Sequence, residues 1–112
     1  MATPFFQERL EDVNGWAVWK IHGRLDRQTC DTACEMGEDL MNRNDKLVLD
    51  MSSVDYLSSA GLRVLVRLIK ISRKEGKEFT VASPSSIVKN VLDDSGMNTM
   101  LNTRGSLKDL EK

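Results

Sequence analysis

Leu47-Val48-Leu49-Asp50-Met51-Ser52-Ser53-Val54-Asp55-Tyr56-Leu57-Ser58-Ser59-Ala60-Gly61-Leu62 is the stretch from which the rest of the chain can be read. Lys46 to Asp50 is apolar at its centre, the pattern of a short strand covered on both faces. A Ser-rich loop is expected next, then a hinge at Ser58-Ser59. From Ala60 to about Glu75 the spacing is helical. Leu62, Leu65, Val66 and Ile69 make one stripe, and Val64, Leu68 and Ile71 make a second beside it. An arc that wide predicts two contacts, one to a sheet and one to a neighbouring element or partner. Arg63, Arg67, Lys70 and Lys74 fill the remaining face, read first as solvated and second as a dock for an acidic partner. At the hinge, the free N–H groups and positive dipole end of the new helix would meet a phosphate added to either serine. Serine is equally a favoured N-cap, so on these residues alone capping and phosphorylation stand about even.

Upstream, Phe5 to Val13 reads as a strand. Asn14-Gly15 is a two-residue hairpin signal, because both residues tolerate positive φ. Trp16 to His22, rich in aromatic and β-branched residues, is the return strand. Gly23-Arg24-Leu25-Asp26 should end it, with Asp26 as N-cap of a helix from about Arg27 to Asn42. Cys30, Ala33, Cys34, Gly37, Leu40 and Met41 would form the inward face of that helix, small enough to lie close against the sheet. Downstream, Gly76 ends the long helix and Glu78 to Ala82 is a further strand. Ser83 and Pro84 read as N-cap and first residue of another helix with Ile87, Val88, Val91 and Leu92 on its apolar face. Asp93-Asp94-Ser95-Gly96 closes it. Met100 to Asn102 reads as a short last strand, and Ser106 as the cap of a final turn reaching Leu110. The alternation predicts one α/β domain over residues 1–112. Its mixed sheet should have about four to five strands, an antiparallel hairpin followed by mostly parallel strands, covered by about four helices.

The 112 residues suffice for one core without staples. Lys and Arg number 16 against 17 Asp and Glu, a net charge of −1 that gives no electrostatic case for nucleic acid or membrane as partner. Met1-Ala2-Thr3-Pro4 shows no leader pattern. No apolar run approaches the ~20 residues of a membrane span. The two cysteines, Cys30 and Cys34, are expected to pack as small apolar groups and not as a disulfide framework. A reducing, cytoplasmic setting is the expectation.

Enzyme constellations are thin. The single histidine, His22, falls on a strand and reads as structural. Cys30, Cys34 and His22 make no metal-ligand spacing. No Gly-x-Ser-x-Gly elbow or Walker-type phosphate loop occurs. Asp26 and Asp50 could pair for acid/base chemistry, but helix capping and loop organisation are the better readings. No cofactor, no metal and no catalytic residue are expected.

The quoted stretch resembles the STAS domain of bacterial anti-sigma factor antagonists. The shared hallmarks are the apolar strand, the Asp, and the Ser-Ser-Ala-Gly-Leu that opens a helix. Gly23-Arg24-Leu25-Asp26 is similar to that family's Gly-x-Leu-Asp, and Leu92 to Met97 to the end of its third helix. The resemblance implies a monomeric, non-enzymatic switch. It would bind a serine/threonine-kinase anti-sigma factor, be released when that kinase phosphorylates the hinge serine, and be reset by a PP2C-type serine phosphatase. By motif position Ser59 is the acceptor, with Ser58 as the alternative, standing where many relatives carry Asp. Asp26, Asp50, Ser58, Ser59, Gly61 and Arg63 would form the partner-binding set, with acidic Asp26 and Asp50 repelling the added phosphate. Two other outcomes remain open on the same resemblance. One is a partner switch with a non-sigma output such as secretion or signalling. The other is an accessory STAS subunit of a transporter or signalling complex, never phosphorylated, using Val64, Leu68 and Ile71 as a permanent interface.

Overall fold

Asn14 and Gly15 take φ of 51° and 87°, the two left-handed residues a tight hairpin needs. They join β1 (Phe6–Val13) to β2 (Trp16–Leu25) in antiparallel pairing. Then follow α1 (Cys30–Arg43), β3 (Lys46–Leu57), α2 (Ser59–Glu75), β4 (Glu78–Ala82), α3 (Ser86–Ser95), α4 (Met97–Leu101) and a 3-10 turn at Leu107–Asp109. β3 and β4 add in parallel, giving one mixed sheet in the order β1-β2-β3-β4. The expected STAS-like α/β architecture is present. This computed structural model describes residues 4–110; Met1, Ala2 and Thr3, where the expectation of no leader chiefly rests, lie outside them.

Two strands run further than the residue pattern suggests. β2 does not stop at His22 but continues through Gly23 to Leu25. β3 does not give way to a Ser-rich loop at Met51 but stays paired to Leu57, with Gly23 opposite Val54, Arg24 opposite Tyr56 and Leu25 opposite Leu57. β3 carries one extra residue at each of two irregularities, between the pairs of Lys20 and His22 and of Gly23 and Arg24. Such bulges bend a strand and re-aim its end. The serines that looked like loop are held in strand by backbone pairing and by burial of Met51, Val54 and Leu57.

The main core lies between one sheet face and the helices. Trp19, Ile21 and Leu25 of β2, Leu47, Leu49 and Met51 of β3, and Phe79 and Val81 of β4 face Leu40 and Met41 of α1 and Leu65 and Ile69 of α2. Trp16, Val18, Val48 and Ala82 form a smaller cluster closed by Leu110. α1 does lie close against its neighbours: a Cβ at Gly37 would come within 2.7 Å of the Trp19 ring and 2.8 Å of Leu68. Cys30 and Cys34, expected on its inward face, are half-buried and pack against the main core. The second contact of α2 is α1 itself. Val64 and Leu68 are buried inside the chain, and Arg67 reaches Glu38 of α1 at 2.9 Å. The permanent external interface through Val64, Leu68 and Ile71 is thereby corrected, since two of its three residues are spent within the fold.

Near the C-terminus two expectations change. α3 is capped by Ser85, not Ser83: the Ser85 hydroxyl accepts from the Val88 N–H at 3.4 Å and donates to the Val54 carbonyl at 2.7 Å. Ser83 instead turns the chain at φ 53°, its N–H bonded to the Arg104 carbonyl. Met100–Asn102 is not a strand. Met97 and Leu101, four apart, enter the core as the short α4, and the last extended pairing is the single bridge of Ala82 with Arg104. Ser106 does head the final turn, its N–H donating to the Asp109 carboxylate at 3.2 Å.

Candidate functional site

β2 and β3 end side by side, and each feeds a helix from the same edge of the sheet. In sheets of parallel strands, this carboxyl end is where ligands and partners are met. From β2 the chain makes a tight turn through Asp26. The Asp26 carboxylate accepts from the Gln28 N–H at 3.0 Å, and the Asp26 N–H donates to the Thr29 hydroxyl at 3.0 Å. That hydroxyl donates in turn to the Arg24 carbonyl at 2.8 Å. Asp26 is therefore not the N-cap, which falls on Thr29. It organises the turn one step earlier, because its side chain reaches backbone donors there first. Its carboxyl is pushed up by desolvation, but the Arg24 guanidinium at 3.2 Å and the N–H groups of Gln28 and Thr29 outweigh this and hold it below the ordinary 3.8. It is ionised at neutral pH. Arg24 also lies over the Tyr56 ring, 4.1 Å from its centroid.

From β3 the chain enters α2 through Ser58. The Ser58 hydroxyl accepts from the Gly61 N–H at 3.2 Å, its N–H donates to the Leu25 carbonyl at 3.1 Å, and its carbonyl accepts from Leu62 at 2.9 Å. Ser58 is a tied N-cap. Ser59, the first helical residue, is exposed, and its hydroxyl has no hydrogen-bond partner among the described residues. The N–H groups of Ser59 and Ala60 are likewise unpartnered among them. Ser58→Ala should cost ~1 kcal/mol of stability, the usual worth of such a cap, measured as a drop in urea midpoint; an unchanged midpoint would show that the hydroxyl caps nothing in solution.

Arg24, Asp26, Arg27, Tyr56, Ser58, Ser59 and Arg63 line one open depression of about 740 Å³. Of the expected partner-binding set, Asp26, Ser58, Ser59 and Arg63 therefore come together. Gly61 lies buried beneath them, where a Cβ would come 2.4 Å from the Leu25 carbonyl oxygen. Asp50 does not join them. It is buried, pairs across the sheet with Lys20 and Ala82, and accepts from the Ser52 N–H at 2.9 Å. Eight strand residues at ~3.3 Å each put it roughly 25 Å from Ser58. That distance also takes apart the possible acid/base pair of Asp26, which lines the depression, and Asp50, which does not. The surroundings of Ser59 are thus basic, not acidic as expected. The residue pattern left Arg24, Arg27 and Tyr56 out of the site, because nothing in it signalled that β3 runs on to Leu57 and brings Tyr56 beside Arg24.

His22 stands apart, stacked on Phe6 with ring centroids 3.9 Å apart and bonded to Glu8 at 2.6 Å, the structural role expected of it. Among the described residues no group of three or more His, Cys, Asp or Glu could hold a metal ion, and no helix is long and apolar enough to cross a membrane. Cys34 is pushed up to about 11 by partial burial and by the Glu38 carboxylate 3.1 Å from its sulfur, so it is a thiol, not a thiolate, at neutral pH. Because the folded value exceeds the ordinary 9.0, the associated stability is present in full below that pH and is lost as pH rises through about 11. Cys34→Ala should flatten this alkaline loss in unfolding curves taken across the window; an identical loss in the variant would contradict the assignment.

A model of the STAS domain family matches residues 7–110. The anti-sigma-F factor antagonist RsfB of Mycobacterium tuberculosis is 31% identical over 101 residues, covering 88% of this chain and 80% of that protein. The crystal structure of an anti-sigma factor antagonist from Mycobacterium paratuberculosis superimposes with a TM-score of 0.80 at 24% identity, over 93% of this chain and 90% of that one. The Bacillus cell-fate determinant SpoIIAA, solved in its phosphorylated form, does so with a TM-score of 0.65 at 13% identity, over 89% and 90%.

Proposed function

The chain belongs to the STAS domain family, and from that premise we propose that it is an anti-sigma factor antagonist, bound by a serine-kinase anti-sigma factor and released by phosphorylation of Ser59. The similarity to RsfB supports the antagonist reading. A relative of the same fold that exists in a phosphorylated form supports the switch. The observation that carries the choice of residue is the division of labour at the hinge: the Ser58 hydroxyl is engaged as a cap, and the Ser59 hydroxyl is exposed and unengaged among the described residues.

In the reaction, the Ser59 oxygen attacks the γ-phosphorus of ATP held by the kinase. The bond to the bridging oxygen breaks, ADP leaves, and the hydroxyl proton is lost to the kinase or to water. The product carries ~−1.5 to −2 charges where a neutral hydroxyl stood. Nothing in the fold has to move for the partner to be lost, since like charge placed within an interface is enough. A PP2C-type phosphatase would hydrolyse the ester and restore the monomer to its binding form. The cycle consumes ATP, which sets it in the cytoplasm.

The test is capture from a lysate of the source organism on immobilised protein, either unmodified or carrying phosphoserine encoded at position 59. Unmodified protein should retain a serine-kinase anti-sigma factor and the phosphorylated protein should not. Equal retention on both would contradict the proposal.

A further inference from the structure

The depression around Ser59 is lined by three guanidiniums, those of Arg24, Arg27 and Arg63, against the single carboxylate of Asp26. That is an excess of two positive charges at one spot on a chain whose net charge is −1. Arg24 is engaged by Asp26 and by the Tyr56 ring, which hold it in place. The exposed side chains of Arg27 and Arg63 make no ion pair or hydrogen bond among the described residues. They flank an unengaged hydroxyl and the two unpartnered N–H groups of Ser59 and Ala60. Each of these groups is a donor left with capacity for an anion.

We infer that this arginine collar is the recognition element of the switch. In the unmodified chain it docks acidic side chains on the kinase partner. In the phosphorylated chain it takes the phosphate on Ser59 itself, so that partner and phosphate compete for the same guanidiniums. The inference rests on the reading of Ser59 as the phosphoacceptor and adds the chemistry of the partner surface. Charge decides it. A phosphate of about two negative charges at neutral pH cancels the local excess. It withdraws the attraction that an acidic partner surface would feel, and it gives the phosphoryl oxygens Arg-type donors in geometry suited to them. The expectation drawn from sequence, that acidic neighbours repel the phosphate, is replaced by capture.

Two measurements test it. For the first, the probe is the serine-kinase anti-sigma factor retained by unmodified protein in the capture experiment. Its affinity is measured by calorimetry for wild type and for the double variant Arg27→Glu, Arg63→Glu. At about 0.1 M salt, where screening acts over ~10 Å, the double variant should bind at least roughly tenfold more weakly. The gap should close near 1 M, where the length is ~3 Å. Equal affinity at low salt would overturn the inference while leaving the antagonist reading intact; a capture experiment in which unmodified protein retains no such kinase would overturn the antagonist reading itself. The second needs no partner. In protein with phosphoserine encoded at position 59, phosphorus NMR should show the second phosphate ionisation below its usual value of about 6. It should move back toward that value in the double variant Arg27→Ala, Arg63→Ala. A titration the arginine variant leaves unmoved would overturn capture of the phosphate by the collar.

Discussion

Ser59→Ala should bind the kinase partner within about twofold of wild type, the range of an exposed substitution that removes no contact of the fold, and should stay bound when ATP is supplied. Ser59→Asp should bind about tenfold or more weakly before any ATP is added. The asymmetry follows from what the position does. The hydroxyl makes no hydrogen bond among the described residues, so removing it costs the fold little. A carboxylate there puts a negative charge in front of the two unpartnered N–H groups and into the arginine-lined depression. It is a partial mimic, one charge in place of nearly two, so the phosphorylated protein should be weaker still. Calorimetry with the three proteins reads this directly. Equal affinities for Ser59→Asp and Ser59→Ala would remove charge as the basis of release.

The largest effect on stability is expected from Gly61→Ala. Alanine normally favours a helix over glycine by ~1 kcal/mol, and here that gain should be overridden. Its methyl would lie 2.4 Å from the Leu25 carbonyl oxygen and 2.7 Å from a Leu57 methyl. The oxygen is backbone and cannot rotate away. It also accepts the Ser58 N–H, so relief of the clash must separate the start of α2 from the end of β2. Overpacking of this kind costs ~1–3 kcal/mol, and a thermal midpoint lowered by roughly 5–10 °C is expected for a domain of this size. A midpoint at or above wild type would mean that α2 can shift freely on the sheet, and that the hinge is not held as described.

The glycine was legible as part of a motif, but its reason was not. The hairpin at Asn14-Gly15 and the α2 pattern follow from local residue chemistry and periodicity, which act over a few positions and can be read directly, and the parallel β3–β4 pair follows from the strand–helix–strand order. The run of β3 to Leu57 could not be read that way. Ser52 and Ser53 have the composition of a loop, and they are strand because His22 of β2 pairs with Ser53 and β2 then carries the pairing on from Gly23 opposite Val54 to Leu25 opposite Leu57. The misreading of the site followed from it. A β3 ending at Asp50 would put that carboxylate at the border of the hinge; with β3 carried to Leu57 it lies far up the sheet, and Tyr56 and Arg24 take its place. Ser83 and Met100–Asn102 failed for a similar reason, since Ser85 is chosen as cap by a bond to β3 and Leu101 is drawn inward by the core, both long-range effects. Ser58 and Ser59 could not be separated by propensity, because either serine can cap a helix. The hydrogen bond from Gly61 to Ser58 separates them.

The most direct test is where the phosphate lands. The kinase captured by unmodified protein should be incubated with ATP and with wild-type, Ser58→Ala and Ser59→Ala proteins, and the hinge peptide sequenced by tandem mass spectrometry. One phosphate on Ser59 in wild type and in Ser58→Ala, and none in Ser59→Ala, is the predicted result. Phosphate on Ser58, or a Ser59→Ala protein labelled as fully as wild type, would contradict it.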